Sequence, residues 1–216
     1  DNMAWLKKDV LIHKVYTDLK KMIVSGELKP GEKIYQEKIS RHLGVSRTPL
    51  VKALQILEQE MILESKPRRG MYVKSQSIVD LRDAFECRQG IETTAARILA
   101  AKITEKGFKS LSDIFKPFLN SKKIDREQYL KADQDFHLKI VTMTENTYLM
   151  KMNKIAHVFN ETYKEGLIRN PEETLPEHLR ILSAIETHDS CLAEEYMRNH
   201  LRKSIERINR KIADMK

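Results

Sequence analysis

The chain has 216 residues, of which 41% are hydrophobic and 32% charged, with a formal net charge of +8. This mixture is typical of a globular protein and excludes a wholly disordered chain. No apolar run is long enough to span a bilayer or to act as a signal peptide. Two cysteines, Cys87 and Cys191, are too few for a disulfide scaffold or a thiolate zinc finger. We therefore expect a reduced, cytoplasmic protein with no membrane partner.

The positive charge is concentrated in the first third of the chain. Residues 1–75 hold 15 Lys/Arg against 9 Asp/Glu, a net charge of +6, whereas residues 76–216 hold 24 against 22, a net charge of +2. This asymmetry predicts two domains, 1–75 and 76–216, joined near residues 74–77. The basic domain is either a nucleic-acid-binding module or a fold with an ordinary solvated basic surface, and charge alone leaves both interpretations open.

The first domain has the pattern of a helix-turn-helix followed by a hairpin. Apolar spacing and turn residues predict helices over 9–25, 36–43 and 47–60 and strands over 62–64 and 71–73. Gly44 stops the second helix, and Ser46 is a typical N-cap for the third. The hairpin tip, residues 66–70, is basic and forms a wing that would give a second phosphate or minor-groove contact.

Four short stretches of the first domain carry a family pattern. They are residues 23–32 (IVSGELKPGE), 43–49 (LGVSRTP), 53–54 (AL) and 69–70 (RG). Over about residues 10–74 they resemble the winged helix-turn-helix of the GntR family of bacterial transcription regulators. The resemblance implies DNA contacts from the recognition helix, the helix before it and the wing. The residues implied are Arg41, Ser46, Arg47, Thr48, Lys52, Arg68, Arg69 and Gly70.

Within that set, the resemblance assigns different roles. Arg47 and Thr48 open the recognition helix and would meet base edges and phosphates in the major groove. Arg41 and the wing would meet the backbone or the minor groove. Val51 and Lys52 stand where the family usually has Arg then Glu, and Met61 stands where it usually has Gly. We expect Lys52 to replace part of the missing arginine contact and the operator to differ from the commoner family pattern.

The second domain is predicted to be an all-α bundle, so the expected fold class is mainly α, an N-terminal winged helix-turn-helix followed by an all-α helical bundle. Helices are predicted over 77–103, 104–118, 125–144, 147–167, 172–188 and 190–213. In the first of them, Arg88 and Glu92 fall inside an apolar stripe. Either they pair with each other at i, i+4 spacing, or Arg88 faces a cavity and grips an anionic ligand.

Several polar residues of later helices also occupy inward positions. Asp133 and His137 lie one turn apart on one face, and His178 and His200 each lie on an apolar face. They are either core histidines with satisfied hydrogen bonds or ligands of a metal ion. Nitrogen and oxygen ligands of this kind suit zinc, nickel, manganese or cobalt. Spacing alone leaves both interpretations open.

A second resemblance bears on that choice. The patterns Arg88-x-x-x-Glu92, Asp133-x-x-Phe136-His137, Asn146-x-x-Leu149 and Glu177-His178-x-x-Ile181, followed by Asp189, Ala193 and His200, look like the ligand-binding domain of the FadR-like branch of the GntR family. In its metal-binding members, an Asp, a His four residues later and two further His ligate one divalent ion. Those positions fall on Asp133, His137, His178 and His200.

The resemblance thus implies one divalent metal per chain, with zinc or nickel first and manganese or cobalt as alternatives. It also implies a small carboxylate effector, for which Arg88 would be the positive clamp. Asn160 and Tyr163 are expected to line the same cavity, whereas His157 and His188 are expected to be structural or surface residues.

These observations predict a homodimeric transcription regulator, by default a repressor, that binds a pseudo-palindromic operator in double-stranded DNA and responds to a small organic acid. One alternative is a DNA-binding regulator with a purely structural metal and no effector. Another is a metal-dependent helical enzyme, but the sequence has no HExxH, P-loop, GxSxG or dinucleotide motif. We therefore expect no enzymatic activity.

Overall fold

The computed structural model describes residues 2–121, 123–162 and 168–215, leaving aside the side chains of residues 2–8, 155 and 157–162. The chain forms two compact units, Asp1–Gln76 and Ser77–Lys216. Helices dominate, which confirms the predicted mainly α fold class. Among the described residues, no helix combines the length and the apolarity that crossing a bilayer requires.

The first unit consists of three helices followed by an antiparallel hairpin. Its elements are α1 (Asn2–Val24), α2 (Gln36–Leu43), α3 (Arg47–Gln59), β1 (Leu63–Lys66) and β2 (Gly70–Val73). The strands pair in register from Leu63 opposite Val73 to Lys66 opposite Gly70. Lys33, between α1 and α2, forms an isolated bridge with Tyr72. The order of helix, turn, helix and hairpin is that of the predicted winged helix-turn-helix.

The core of this unit is formed where α1 packs against α3. Leu19, Leu50 and Leu57 are fully buried there, because the apolar residues of both helices recur at three-to-four spacing. Gly44 ends α2 with φ 64°, in the left-handed region that glycine adopts readily, and so turns the chain into α3. Tyr16 donates a hydrogen bond of 2.7 Å to the Glu60 carboxylate and ties α1 to the end of α3.

The second unit is entirely helical in the described residues. Its helices are α4 (Ile78–Lys102), α5 (Glu105–Ser112), α6 (Arg126–Thr142), α7 (Thr147–Thr162), α8 (Pro171–Glu186) and α9 (Ser190–Asp214), with a 3₁₀ turn at Lys116–Phe118. A capping box begins α4: the Ser77 hydroxyl accepts from the Asp80 N–H, and the Asp80 carboxylate accepts from the Ser77 N–H. The helix therefore begins at a defined residue.

Helix α4 lies at the centre of the second unit. It packs along α9 and also contacts α6, α7 and α8. The apolar core includes Phe115, Tyr129 and Phe136, which are fully buried. Because these helices meet around one core, polar residues on their inner faces are brought together in its interior.

One predicted helix is wrong. Residues 104–118 were expected to form a single helix, but α5 has its C-cap at Asp113 and a separate 3₁₀ turn follows. The cause is Pro117, which has no N–H to donate to the Asp113 carbonyl and whose ring would clash with that carbonyl in a continuous α-helix. In addition, α1 begins before the predicted residue 9.

Candidate metal centre and nucleic-acid interface

Four potential metal ligands converge in the second unit. They are Asp133 and His137 of α6, His178 of α8 and His200 of α9, and one ligand atom from each lies within 4.8 Å of the others. Asp133 and His137 leave the same face of α6 because they are one helical turn apart. His178 and His200 are buried, as are Ile181 and Met197, which lie three residues from them on the same helices. The residues predicted from the sequence are therefore brought together by three helices.

One imidazole nitrogen of this cluster has no hydrogen-bond partner among the described residues. His178 is fully buried, and its Nε2 is unsatisfied although it lies 3.4 Å from Asp133 Oδ1. The Nε2 atom of His137 lies 4.0 Å from the same oxygen. An orphaned buried nitrogen is costly unless something binds it. Lone pairs converging beside a carboxylate are the donor set that a divalent metal takes, so the residues fit the ion.

The other nitrogen of each imidazole is held by a hydrogen bond. Nδ1 lies 2.5 Å from Glu92 Oε2 in His137, 2.9 Å from Glu177 Oε2 in His200 and 3.0 Å from the Tyr129 hydroxyl in His178. Sequence reasoning missed Tyr129 entirely and gave Glu92 and Glu177 no role at the cluster. With Nδ1 held, His137 and His178 turn Nε2 toward Asp133, which is the usual arrangement at metal sites.

Burial and neighbouring charges shift the pKa of two histidines of the cluster, His178 and His200. Burial lowers the pKa of His178 well below its usual value, and the nearby His200 and His137 add to this effect. Burial also lowers the pKa of His200, although its hydrogen bond to Glu177 acts in the opposite direction. Both shifts favour the neutral imidazole, which is the form that binds a metal ion.

The carboxylates beside the cluster stay ionised. Burial alone would raise the pKa of Glu92, but Arg88 and His137 outweigh it and hold the pKa well below the usual range. Burial likewise acts to raise the pKa of Glu177, and the hydrogen bonds from His200, Arg169 and Lys203 outweigh it. Each glutamate is therefore an anion that can only accept hydrogen bonds.

A cavity of about 40 Å³ opens beside the cluster. Its wall includes Asp133, His137 and His200 together with two buried arginines, Arg88 and Arg169. Since one water needs about 10–15 Å³ measured in this way, the space holds a few water-sized groups. Two cationic side chains therefore line the wall, and each is paired with a glutamate.

Arg88 forms one of the two arrangements that its sequence position left open and has the cavity that the other requires, while its contact with an anionic ligand stays a prediction. Its Nε donates to Glu92 Oε1 at 2.6 Å, so the i, i+4 pair forms, and it also lines the cavity. Arg169, which sequence reasoning missed, binds Glu177 through both terminal nitrogens, at 2.7 and 2.8 Å. The only local signal for it is a basic residue just before the Asn170-Pro171 start of α8, which is too common to be diagnostic.

The remaining predicted residues of this region lie elsewhere. His188 is outside the cluster, and its Nδ1 lies 2.8 Å from the carbonyl oxygen of Ala100. Tyr163 is outside the described residues, as are the side chains of His157 and Asn160.

In the first unit, every predicted DNA-contacting residue is exposed. These residues are Arg41, Ser46, Arg47, Thr48, Lys52, Arg68, Arg69 and Gly70. Arg47 and Thr48 occupy the first turn of α3, whose N–H groups have no partner within the helix. The Ser46 side chain makes no capping hydrogen bond at this end. This surface can therefore meet phosphates and base edges together.

Further exposed basic residues follow later in the chain, at Lys52 and in the wing. Lys52 lies one turn after Thr48 on α3 and is exposed, whereas Val51 is half-buried. At the hairpin tip, Arg68 has φ 60° and Gly70 has φ 95°, so both turn residues are in the left-handed region. Met61 has φ 60° as well, which is a physical reason for the glycine usual at that position.

Comparison with known proteins identifies both units. Residues 11–73 match the family described as bacterial regulatory proteins, gntR family, and residues 83–203 match the FCD domain. The chain is 26% identical over 198 residues to the HTH-type transcriptional repressor RspR of Escherichia coli, covering 90% of this chain and 87% of that protein. It is 30% identical over 215 residues to the Uxu operon regulator of Haemophilus influenzae, covering 88% and 80%.

A solved structure agrees with this assignment at the level of fold. E. coli McbR/YncC superposes with a TM-score of 0.72 at 21% identity, over 94% of this chain and 98% of that one. The matched families and relatives are transcription regulators, which confirms the expectation that the chain is not an enzyme. The chain therefore belongs to the GntR family of bacterial regulatory proteins, as a DNA-binding transcription regulator with an FCD ligand-binding domain.

Proposed function

We propose that this regulator is a cytoplasmic homodimeric repressor whose operator affinity is controlled by a small carboxylic acid bound at a divalent metal in the second unit. The observation that carries the proposal is the buried cluster of four ligand atoms within 4.8 Å, beside a cavity lined by Arg88 and Arg169. Repression is also supported by one relative that is itself named a repressor.

In this proposal Asp133, His137, His178 and His200 hold one ion per chain. Three imidazoles and one carboxylate favour zinc or nickel, with manganese or cobalt as alternatives. The ion supplies a Lewis acid to which a carboxylate oxygen can bind. The protein's own contribution is to orient the ligands and to neutralise the acid's charge through Arg88.

DNA binding is assigned to the exposed surface of the first unit. The first turn of α3, with Arg47 and Thr48, enters the major groove, and the wing residues Arg68 and Arg69 contact the backbone or the minor groove. A homodimer presents two such surfaces, so the operator is pseudo-palindromic. The second unit supplies the dimer contact.

Control by the acid follows from linkage. A ligand changes operator affinity only if it binds the DNA-competent arrangement and the released arrangement with different affinities. The cavity wall draws on α4, α6 and α9 and on Arg169 just before α8, so an acid bound there contacts groups on several elements at once. These helices would then pack in one way when the acid is bound and in another when it is absent.

The test combines elemental analysis with DNA binding. The purified protein should contain about one divalent ion per chain, and a selected operator duplex should be released when one member of a panel of short carboxylic and sugar acids is added. Release should disappear after the ion is removed with a chelator. Metal without any acid response would instead establish a structural metal, and absence of a bound ion at saturating zinc would overturn the proposal.

A further inference from the structure

The Nδ1 atoms of the three histidines have hydrogen-bond partners of two different kinds. His137 and His200 are backed by ionised glutamates, and each glutamate is in turn held by a buried arginine. His178 is backed by a tyrosine hydroxyl. The three histidines therefore differ in how strongly their hydrogen bonds fix which ring nitrogen carries the hydrogen. The inference drawn from this difference rests on the metal site proposed above.

The first arrangement is Arg88–Glu92–His137. Glu92 Oε1 accepts from Arg88 Nε at 2.6 Å, and Glu92 Oε2 lies 2.5 Å from His137 Nδ1. Arginine can only donate and an ionised carboxylate can only accept, so Nδ1 of His137 must carry the hydrogen. The lone pair that can bind an ion is then the one on Nε2, which faces Asp133.

The second arrangement is Arg169–Glu177–His200. Glu177 Oε2 accepts from Arg169 Nη1 at 2.7 Å and lies 2.9 Å from His200 Nδ1. Glu177 Oε1 accepts from Arg169 Nη2 at 2.8 Å and from Lys203 Nζ at 2.7 Å. Both oxygens are thus surrounded by donors, and Nδ1 of His200 must carry its hydrogen too.

His178 is a contrast within the same cluster. Its Nδ1 lies 3.0 Å from the Tyr129 hydroxyl, which lies 2.9 Å from the Thr174 hydroxyl. The Thr174 hydroxyl donates to the Asn170 carbonyl oxygen at 3.2 Å, so this chain favours a hydrogen on Nδ1 of His178, but both hydroxyls can turn and accommodate the other tautomer. Tyr129 places the ring without dictating its tautomer.

We propose that Glu92 and Glu177 are positioning residues that impose the Nδ1–H tautomer on His137 and His200, each glutamate being oriented by its arginine. Neither glutamate belongs to the four-residue ligand cluster, yet the affinity for the ion depends on both. Removing such a supporting residue typically weakens metal binding by about 10–100-fold.

The amide variants give this proposal a directional test. In Glu92→Gln, the side-chain oxygen must face Arg88, so the NH₂ group faces His137 Nδ1 and donates to it. The ring hydrogen then moves to Nε2, the atom that the ion needs. If Arg88 is also replaced, as in Glu92→Gln with Arg88→Met, the amide is free to rotate and present its oxygen to Nδ1, which restores the original tautomer.

The experiment uses the purified full chain and zinc in competition with a chelating indicator. We expect Glu92→Gln and Glu177→Gln to bind zinc about 10–100-fold more weakly, Tyr129→Phe to lose less than either, and Arg88→Met to restore part of the loss in Glu92→Gln. Nitrogen-15 NMR of the imidazoles in the zinc-free protein should show His137 switching from Nδ1–H to Nε2–H in Glu92→Gln and returning in the double variant.

The outcomes separate this inference from the proposed function. If the unaltered protein binds no zinc, the metal site itself is wrong. If it binds zinc but both amide variants bind as tightly, or lose no more than Tyr129→Phe, the tautomer proposal is overturned while the metal site stands. Should Glu92→Gln not fold, as judged by circular dichroism, Glu177→Gln decides, because Glu177 is partly exposed and Arg169 keeps a second carboxylate, Glu173.

Discussion

The two units place their functional side chains in opposite environments. The basic residues assigned to DNA are all exposed. The histidines of the metal cluster are at most 4% exposed and are tied to Glu92, Glu177 and Tyr129. The exposed residues assigned to DNA can therefore be substituted one at a time without disturbing the fold. A substitution in the buried cluster also changes the packing of the helices around it.

The largest effect is expected in the buried site. His178→Ala removes a ligand, so zinc affinity should fall by at least about 100-fold, more than loss of a supporting residue costs. The rise in melting temperature that zinc gives the unaltered protein should disappear. Competition titration and thermal melts with and without zinc measure both. His188→Ala, outside the cluster, is the matched control and should keep both properties; equal zinc binding by the two variants would refute the ligand assignment.

The next largest effect is expected on the exposed surface. Arg47→Ala should weaken binding to the selected operator by about 1–3 kcal/mol, because an arginine in the first turn of the recognition helix contacts base edges. Melting should be unchanged, since the side chain is exposed. Fluorescence anisotropy with operator and scrambled duplexes provides the readout. Arg97→Ala, the same change of charge on an exposed residue of α4, should bind as before.

A smaller effect is expected at the position that lacks the usual arginine. Val51→Arg should tighten DNA binding roughly threefold and steepen its salt dependence by about one counterion, because a new cation beside Lys52 reaches a phosphate. The measurement is an anisotropy titration at several salt concentrations. Val51→Gln has a long polar side chain without the charge, and an identical gain in that variant would exclude the electrostatic explanation.

The smallest effect concerns the turn into the wing. Met61 has φ 60°, a conformation that costs a non-glycine residue about 1–2 kcal/mol, and its side chain is exposed. Since glycine loses about 0.5–1 kcal/mol more backbone entropy on folding, Met61→Gly should stabilise the first unit by roughly 0.5 kcal/mol. Calorimetry can detect this. Gln55→Gly in the exposed face of α3 should be destabilising by about 1 kcal/mol, so the same sign in both variants would contradict the explanation.

Much of the fold was predictable because its signals are local. Gly44 at the end of α2 and Ser77 at the start of α4 act within a few residues of themselves, and the helix between them, α3, follows from apolar periodicity. The break at Asp113 was missed because the periodicity of residues 104–118 continues past Pro117, and the proline should have been given more weight than the apolar pattern.

The candidate site was less accessible to sequence reasoning. Spacing left both core histidines and metal ligands open, and the family resemblance supplied the ligand set, which stays a prediction. The supporting contacts join residues far apart in the chain: Tyr129 reaches His178 across 49 positions and Glu92 reaches His137 across 45. No periodicity within one helix reports such a contact, so Tyr129 and Arg169 became visible only in the assembled bundle.

The burial of the cluster also bears on how long an ion would stay in place. Of its four residues only Asp133 has appreciable exposure, at 17%, and the three histidines belong to three helices packed around a common core. An ion held there would have to give up ligands from three helices before it could leave through the adjoining cavity, so we expect its exchange with the surroundings to be slow compared with cycles of operator binding and release. If the proposed site holds a metal in this way, the metal is a lasting part of the fold, and the signal that varies from moment to moment comes from the acid proposed to enter the cavity.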